Sequence, residues 1–390
     1  MLASDKTVER RRAVAGGQIE LVGFPRSFAE ESWVVDRPIA VARYLKASAT
    51  PFRYIPVDDG TPQVGGAIYD ATGRLVAESE RPAGRGRQSQ NPATLDRRPA
   101  GPMLAGDYVY VGFAIQSYGH FLVETLSRLW WVERLEDLAE TSLLLHGWKA
   151  REGRQKERSR LPLIGPLLAR FGFGPPPVGA LNFLSAPWVQ GFFDILGVPP
   201  GRVAFVPPTG AVVEALRVPA RVVTVNGNGH PALPRIYRLI AEKVAGDVRP
   251  TARRIYFSRS RLKARRAEGE GRRRAANEPA LEKLLVRNGF EIVHPQELSV
   301  VEQIRLVRSA AVIAGCDGSA LHNVVFARPG TRVLAFDSRV VENQLAIEQS
   351  CGLVSRHLWM GGRMPYGKPP PDWQVDLERV RRNLDFAAGG

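Results

Sequence analysis

Cysteine is almost missing from this chain: two, Cys316 and Cys351, stand among 390 residues. Two thiols build no disulfide framework, and their scarcity fits a reducing compartment. Long hydrophobic runs are missing as well. The longest charge-free stretch, Phe171 to Phe193, contains Pro175, Pro176 and Pro177 together with Asn182 and Gln190. A spanning helix needs about 20 mostly apolar residues with internally bonded backbone, and a triple proline removes those donors. The opening MLASDKTVERRRAVAGG carries charge but no apolar core of the ~7–15 residues of a secretory signal. The expectation is a cytoplasmic protein without a transmembrane segment.

Familiar nucleotide and metal signatures are also absent. There is no Walker sequence and no Gly-x-Gly-x-x-Gly; Gly227-Asn-Gly229 lacks the third glycine, which disfavours a dinucleotide fold. The 6 histidines are isolated and neither cysteine has a Cys-x-x-Cys partner, so zinc is not expected. No Asp-x-Asp pair is present to hold a divalent ion on a nucleotide diphosphate. No metal or other cofactor is expected. Leaving-group charge then falls to arginine, lysine and helix dipoles.

What is present is apolar material for real cores, 44% hydrophobic with 24% charged. At ~150 residues per domain the length suggests two domains or one large one. The formal net charge is +15. Arg253 to Arg274 concentrates ten Lys/Arg against Glu268 and Glu270, or +8 in one segment. A duplex binder spreads its phosphate contacts along a face, whereas a knot suits a small polyanion such as a nucleoside diphosphate. A solvated basic loop is the alternative that composition leaves open. No nucleic-acid partner is expected; the surplus charge also suits peripheral contact with an anionic membrane surface, at the inner face of the plasma membrane.

Residues 1 to about 100 read as short strands, Ile19–Val22, Ile39–Ala42 and Ala67–Tyr69, between proline and glycine turns. Glu80–Gly101, rich in arginine and proline, reads as a loop to which no chemistry is assigned. A strand is predicted from Asp107 and a helix over Gly119–Leu138, with apolar residues at Phe121, Leu122, Leu126, Leu129, Trp130 and Leu135. Ser142–His146 reads as a buried strand, Lys149–Pro177 as an irregular insert and Ala186–Leu196 as a helix ending at Gly197.

From about Val218 the pattern alternates. Predicted strands are Arg221–Val225, Ile255–Ser258, Phe290–Val293, Ala311–Ala314 and Arg332–Phe336; predicted helices are Leu233–Val244, Glu278–Arg287 and Val300–Arg308. This calls for a doubly wound α/β domain with a parallel sheet. The expected division is 1–215, 216–370, and a helical tail 371–390 returning to the first domain.

In such a sheet ligands bind beyond the carboxyl ends of the strands. One end runs into Arg259 and the basic knot, the other into Gly315-Cys-Asp-Gly-Ser-Ala-Leu-His-Asn323, a small-residue turn opening a helix. Cations from one loop and backbone N–H donors from the other describe a pyrophosphate pocket, although a glycine turn after a strand is more often structural. In the first half His120 and Glu124 lie four apart on the predicted helix, with Tyr118 and Arg128 nearby. A histidine held by a carboxylate is a positioned general base; local pairing of a half-buried histidine is the other reading.

At these residues the sequence resembles glycosyltransferase family 61, in five pieces in the family's order. Tyr118-Gly-His120-Phe-Leu-Val-Glu124-Thr-Leu-Ser-Arg128-Leu looks like the aromatic-x-His-x-x-x-Glu helix. Phe192–Val198 with Val218-Pro219 is similar to the middle segment. Arg254-Ile-Tyr-Phe-Ser-Arg259, then Arg274 and Asn277-Glu278, resembles the next stretch. Glu297 to Gln303, and Gly315-x-x-Gly-Ser-Ala-Leu-x-Asn323-x-x-Phe326, complete it.

The resemblance implies a GT-B architecture: two Rossmann-like domains facing a cleft, an acceptor-side N-terminal one and a C-terminal one holding the nucleotide-sugar donor. It implies an inverting transfer, from a UDP-sugar in this reading, to a hydroxyl of a surface or capsular polysaccharide. His120, Glu124 and Asp317 are the catalytic candidates, with Asp194 as another carboxylate for the base. Arg259, Lys263, Arg274, Asn277, Glu278, Glu297, Glu302, Gly318, Ser319, Ala320 and Asn323 are the donor-binding ones. One departure stands out: Asp317 occupies a position where many members carry histidine, so a carboxylate must cap the turn or meet hydroxyls rather than phosphate. The alternative reading is a non-catalytic nucleotide-sugar-binding or basic nucleic-acid-binding protein, which has no need of a positioned base.

Overall fold

Strands covered on both faces read as unbroken apolar runs, and Val312–Cys316 (VIAGC) and Arg332–Asp337 (RVLAFD) are buried almost throughout. They form the centre of the larger sheet. The computed structural model describes residues 10–13, 17–24, 33–55, 63–81, 91–147, 183–262, 275–361 and 373–388. The chain divides into two units, Met1–Asp36 with Gly227–Gly390, and Arg37–Asn226.

The first unit carries a seven-stranded sheet in the order Arg10–Ala13, Gln18–Val22, Val354–Trp359, Arg332–Asp337, Val312–Cys316, Arg254–Phe257, Phe290–Val293. All neighbours pair in parallel except the edge pair Arg10–Ala13 and Gln18–Val22. Helices Pro234–Ala245, Glu278–Arg287, Val300–Ser309 and Glu342–Cys351 alternate with these strands, which is the doubly wound pattern expected. Three expectations are corrected. Gln18–Val22 forms its strand, but beside Val354–Trp359 in this sheet, so the division falls at 36/37 and 226/227 rather than at 215/216. The tail belongs to this same unit: Trp373, Val375, Val380 and Ala387 are buried with Tyr256, Leu281 and Phe336. The expected strand Arg221–Val225 does not form.

The second unit has a six-stranded sheet in the order Ile68–Tyr69, Val41–Ala49, Ala211–Pro219, Met103–Ala114, Ser142–Gly147, Val203–Val206. Val41–Ala49 runs antiparallel to both neighbours and the remaining pairs are parallel, so this sheet is mixed where a Rossmann-like one was expected. Its core gathers Tyr110, Leu144, Val213 and Leu216. Among the described residues no helix is long and apolar enough to cross a membrane. The insert Lys149–Pro177 and the knot from Lys263 to Arg274 lie outside the described residues.

Candidate functional site

The segment after strand Met103–Ala114 is not the single helix its spacing predicts. One α-turn, Tyr118–His120, widens into a π-turn, Phe121–Thr125, in which Leu126 N–H reaches back to Phe121 O, and then tightens into the 3-10 turn Leu126–Leu129. Such π-turns insert an extra residue and recur at functional sites. Apolar burial holds the irregular turn in place. Phe121 is 1% exposed and packs on Phe183, Trp188, Phe192 and Phe193. On the neighbouring strand Gly112 has φ +89°, and a Cβ there would stand 3.3 Å from Glu124 O. Glycine lets strand and turn approach closely.

The turn brings His120 Nδ1 to 2.6 Å from Glu124 Oε2. Arg81 grips the same carboxylate from the other side, Nε to Oε1 at 2.7 Å and Nη2 to Oε2 at 3.1 Å. Burial pushes the Glu124 carboxyl up, but the Arg81 charge and the His120 hydrogen bond outweigh it and hold it at about 2. Glu124 is therefore an anion and accepts from Nδ1–H. The other ring nitrogen, Nε2, is left with the lone pair, and the His120 side chain is 37% exposed. In the neutral ring this contact fixes the tautomer and leaves Nε2 open to a proton. Arg81 lies in the segment Glu80–Gly101, which the sequence reads as a loop to which no chemistry is assigned.

A cleft beside Glu124 is lined by Arg81, Arg128, Arg221, Glu80, Phe113 and Thr224. Arg128 is buried, donates from Nη1 to Pro219 O at 2.9 Å and stacks over Tyr110. Burial, and then the Arg221 charge, pull its guanidinium down to about 10. Arg221 donates to Glu80 O at 2.6 Å and to Ala77 O. Nearby His146 is fully buried between Tyr110 and Thr50 O, and burial drops it to about 4, so it is neutral and sealed from substrate.

In the larger unit Arg254–Phe257 and Val312–Cys316 are adjacent parallel strands, so Arg259 and Gly318 emerge side by side. Arg259 donates from Nη2 to Asp317 O at 2.7 Å, and its own N–H is held by Glu278 Oε1 at 2.6 Å. Glu278 is buried and also accepts from Tyr256 at 3.1 Å. The half-buried turn Gly318, Ser319, Ala320 opens the 3-10 segment Leu321–Phe326. The Asp317 carboxylate turns away from that opening: it accepts from Ser338 N and Oγ at 3.0 and 2.7 Å and from Arg339 Nε at 3.1 Å. It thus fastens one loop to the next.

Other candidates are engaged elsewhere. Asn323 donates to Gln303 at 2.9 Å in the core. Asn277 pairs with both backbone groups of Val375. Glu297 meets Arg261 on the surface, and Glu302 closes a capping box with Ser299. Lys263 and Arg274 lie outside the described residues. Asp194 sits on the helix Pro187–Leu196. Among the described residues no group of His, Cys, Asp and Glu is arranged to hold a metal ion.

Compared with known proteins, the chain matches the family model described as Glycosyltransferase 61 over residues 118–334, from the first residue of the His120 turn into strand Arg332–Asp337. No curated protein matches it. The matched span covers just over half of the chain and takes in both the His120–Glu124 pair and the Arg259–Gly318 loops. The chain belongs to glycosyltransferase family 61 and is a glycosyltransferase enzyme, acting between a sugar donor and an acceptor.

Proposed function

We propose that the enzyme moves a sugar from a nucleotide-sugar donor, a UDP-sugar, to a hydroxyl of a surface or capsular polysaccharide, with inversion and without a metal ion. The observation that carries this reading is the Arg81–Glu124–His120 array. In the step, His120 Nε2 takes the acceptor hydroxyl proton as the oxygen bonds to the anomeric carbon. The bond from that carbon to the diphosphate oxygen breaks, and its electron pair leaves with the nucleoside diphosphate. Attack from the face opposite the leaving group inverts the configuration.

Arg259 and the backbone donors of Gly318–Ala320 take the leaving charge in this reading, supported by their shared position beyond the carboxyl ends of two parallel strands. The GT-B plan implied by the resemblance, and work at the inner face of the plasma membrane, belong to the same proposal. A general base contributes about 10²–10⁴ in rate, so His120→Ala should lower turnover by that factor and leave nucleoside diphosphate affinity nearly unchanged. Transfer should persist in EDTA. Full activity in His120→Ala, or strict dependence on a divalent ion, overturns the mechanism.

A further inference from the structure

Beside the base lies a feature that proton transfer does not use. The cleft is lined by three guanidiniums, Arg81, Arg128 and Arg221, and two carboxylates, Glu80 and Glu124. With Glu78 beside Arg221 the charges balance three against three, so the pairings decide which guanidinium lacks a bonded carboxylate. Arg81 is matched to Glu124 by two hydrogen bonds. Arg221 lies 3.5 Å from Glu78, whose carboxylate also accepts from its backbone N–H at 2.8 Å. Glu80 accepts from Asn91 at 3.1 Å.

Arg128 has no such carboxylate. It is 4% exposed, and among the described residues its hydrogen bond goes to one neutral carbonyl, Pro219 O, with the Tyr110 ring beneath it. A guanidinium carries five N–H donors in a fixed fork. A buried cation without a carboxylate in hydrogen-bond contact is costly, and a guanidinium fork at a cleft is shaped for two oxygens of one anion. Burial, and then the Arg221 charge, disfavour the charged form of Arg128 and outweigh the attraction of Tyr110, Glu78 and Glu124.

We propose that this cleft binds an oxyanion, a carboxylate or phosphate carried by the acceptor, with Arg128 as its principal partner and Arg221 behind it. The inference deepens the acceptor-side reading of His120 and rests on it: Glu124 lines the cleft and also holds His120, so an acid group seated there would present its own sugar unit to the base. The enzyme would then select an acidic glycan, or one bearing phosphate, over a neutral one.

Calorimetric titration of the full chain tests this, with nucleoside diphosphate held saturating so that a donor-side phosphate site is filled. The probes are inorganic phosphate, glucuronate and, as the neutral control, glucose. Saturable binding of phosphate or glucuronate but not glucose is expected, and which of them binds separates the two anion sources. Arg128→Lys should weaken binding about tenfold or more, since it keeps the charge and loses the fork.

Because Arg128 is buried and its variant can fail to fold, Thr224→Glu is the second test. Thr224 is half-buried in the cleft lining, and a carboxylate there would compete with an incoming anion for the guanidinium. Anion binding should be lost in that variant while thermal stability holds or rises. No anion binding in the parent, or equal binding in folded Arg128→Lys and Thr224→Glu, overturns the proposal and leaves the His120 mechanism standing. Anion binding as expected alongside an active His120→Ala would retain the cleft and remove the mechanism.

Discussion

Arg81 holds Glu124 through two parallel hydrogen bonds, Nε to Oε1 at 2.7 Å and Nη2 to Oε2 at 3.1 Å. Without that fork the buried carboxylate keeps the upward push of burial and loses its largest downward one. Arg81→Met should therefore raise the Glu124 pKa, and the acid limb of the kcat/KM profile should move to higher pH. Removing one partner of a buried pair costs about 3–5 kcal/mol at the extreme, so a lower Tm is expected too. Arg81→Lys should recover stability in part and the profile less. A pH–rate profile unmoved in a folded Arg81→Met variant would show that the arginine only braces the loop.

Acid should act on the same array. The folded pKa of Glu124 is depressed from 4.5 to about 2, so its stabilising contribution is complete above 4.5 and is lost as pH falls toward 2. Urea midpoints measured from pH 6 down to 3 should fall more steeply in the parent than in Glu124→Gln. Parallel curves would mean that this carboxylate does not contribute to acid unfolding.

Gly318 has φ +133°, and a Cβ there would overlap Arg259 Nη2. The flexible guanidinium would give way, losing its bond to Asp317 O, while the backbone strain stays. Gly318→Ala and Arg259→Ala should each weaken nucleoside diphosphate binding about tenfold or more, and the double variant should be hardly worse than either. Additive losses, seen by calorimetry, would mean that the glycine acts on the ligand independently of the arginine.

His357 sits between Asp337, 2.7 Å from Nδ1, and Glu348, 2.6 Å from Nε2, all buried. Burial pulls the imidazole pKa down, but the two carboxylates outweigh it and raise it from 6.5 to about 10. A raised folded pKa gives a contribution complete below 6.5 and lost as pH rises through 10. Stability should fall by up to a few kcal/mol across that window. His357→Gln, which keeps hydrogen-bonding groups without the titration, should be less stable at pH 7 and flatter in pH. Equal slopes of urea midpoint from pH 7 to 9.5 would rule this out.

The same triad explains one limit of the sequence reading. Ile255, Ala314 and Leu334 announce their strands because both faces are apolar, but Val354–Trp359 carries Arg356 and His357 in its middle. Their partners are remote: Glu20 for Arg356, and Asp337 and Glu348 for His357. Polar residues paired inside a core look like surface in a one-dimensional pattern. His120 and Glu124 were legible because spacing of four survives even in an irregular turn. Arg81 was not, since no periodicity links it to Glu124 43 positions later in the chain. Gln18–Val22 was legible as a strand, but alternation within a strand does not name its neighbour.

Asn277 separates the two sources of residue assignment. The family resemblance makes it a donor-binding residue, whereas its side chain donates to Val375 O at 2.7 Å and accepts from Val375 N at 2.9 Å. Ala276 N–H adds a bond to Trp373 O at 2.9 Å. Together they fix the tail segment that carries Trp373, Val375 and Val380 into the core. Asn277→Ala leaves the N–H and C=O of buried Val375 without these partners, at about 1 kcal/mol for each hydrogen bond, or about 2 kcal/mol in all. If the side chain is a clasp, the variant should unfold at lower urea while nucleoside diphosphate affinity stays within about twofold. Asn277→Asp, which keeps the acceptor and loses the donor, should fall between. Weaker affinity in a variant of unchanged stability would return Asn277 to the donor site and make its hold on Val375 incidental.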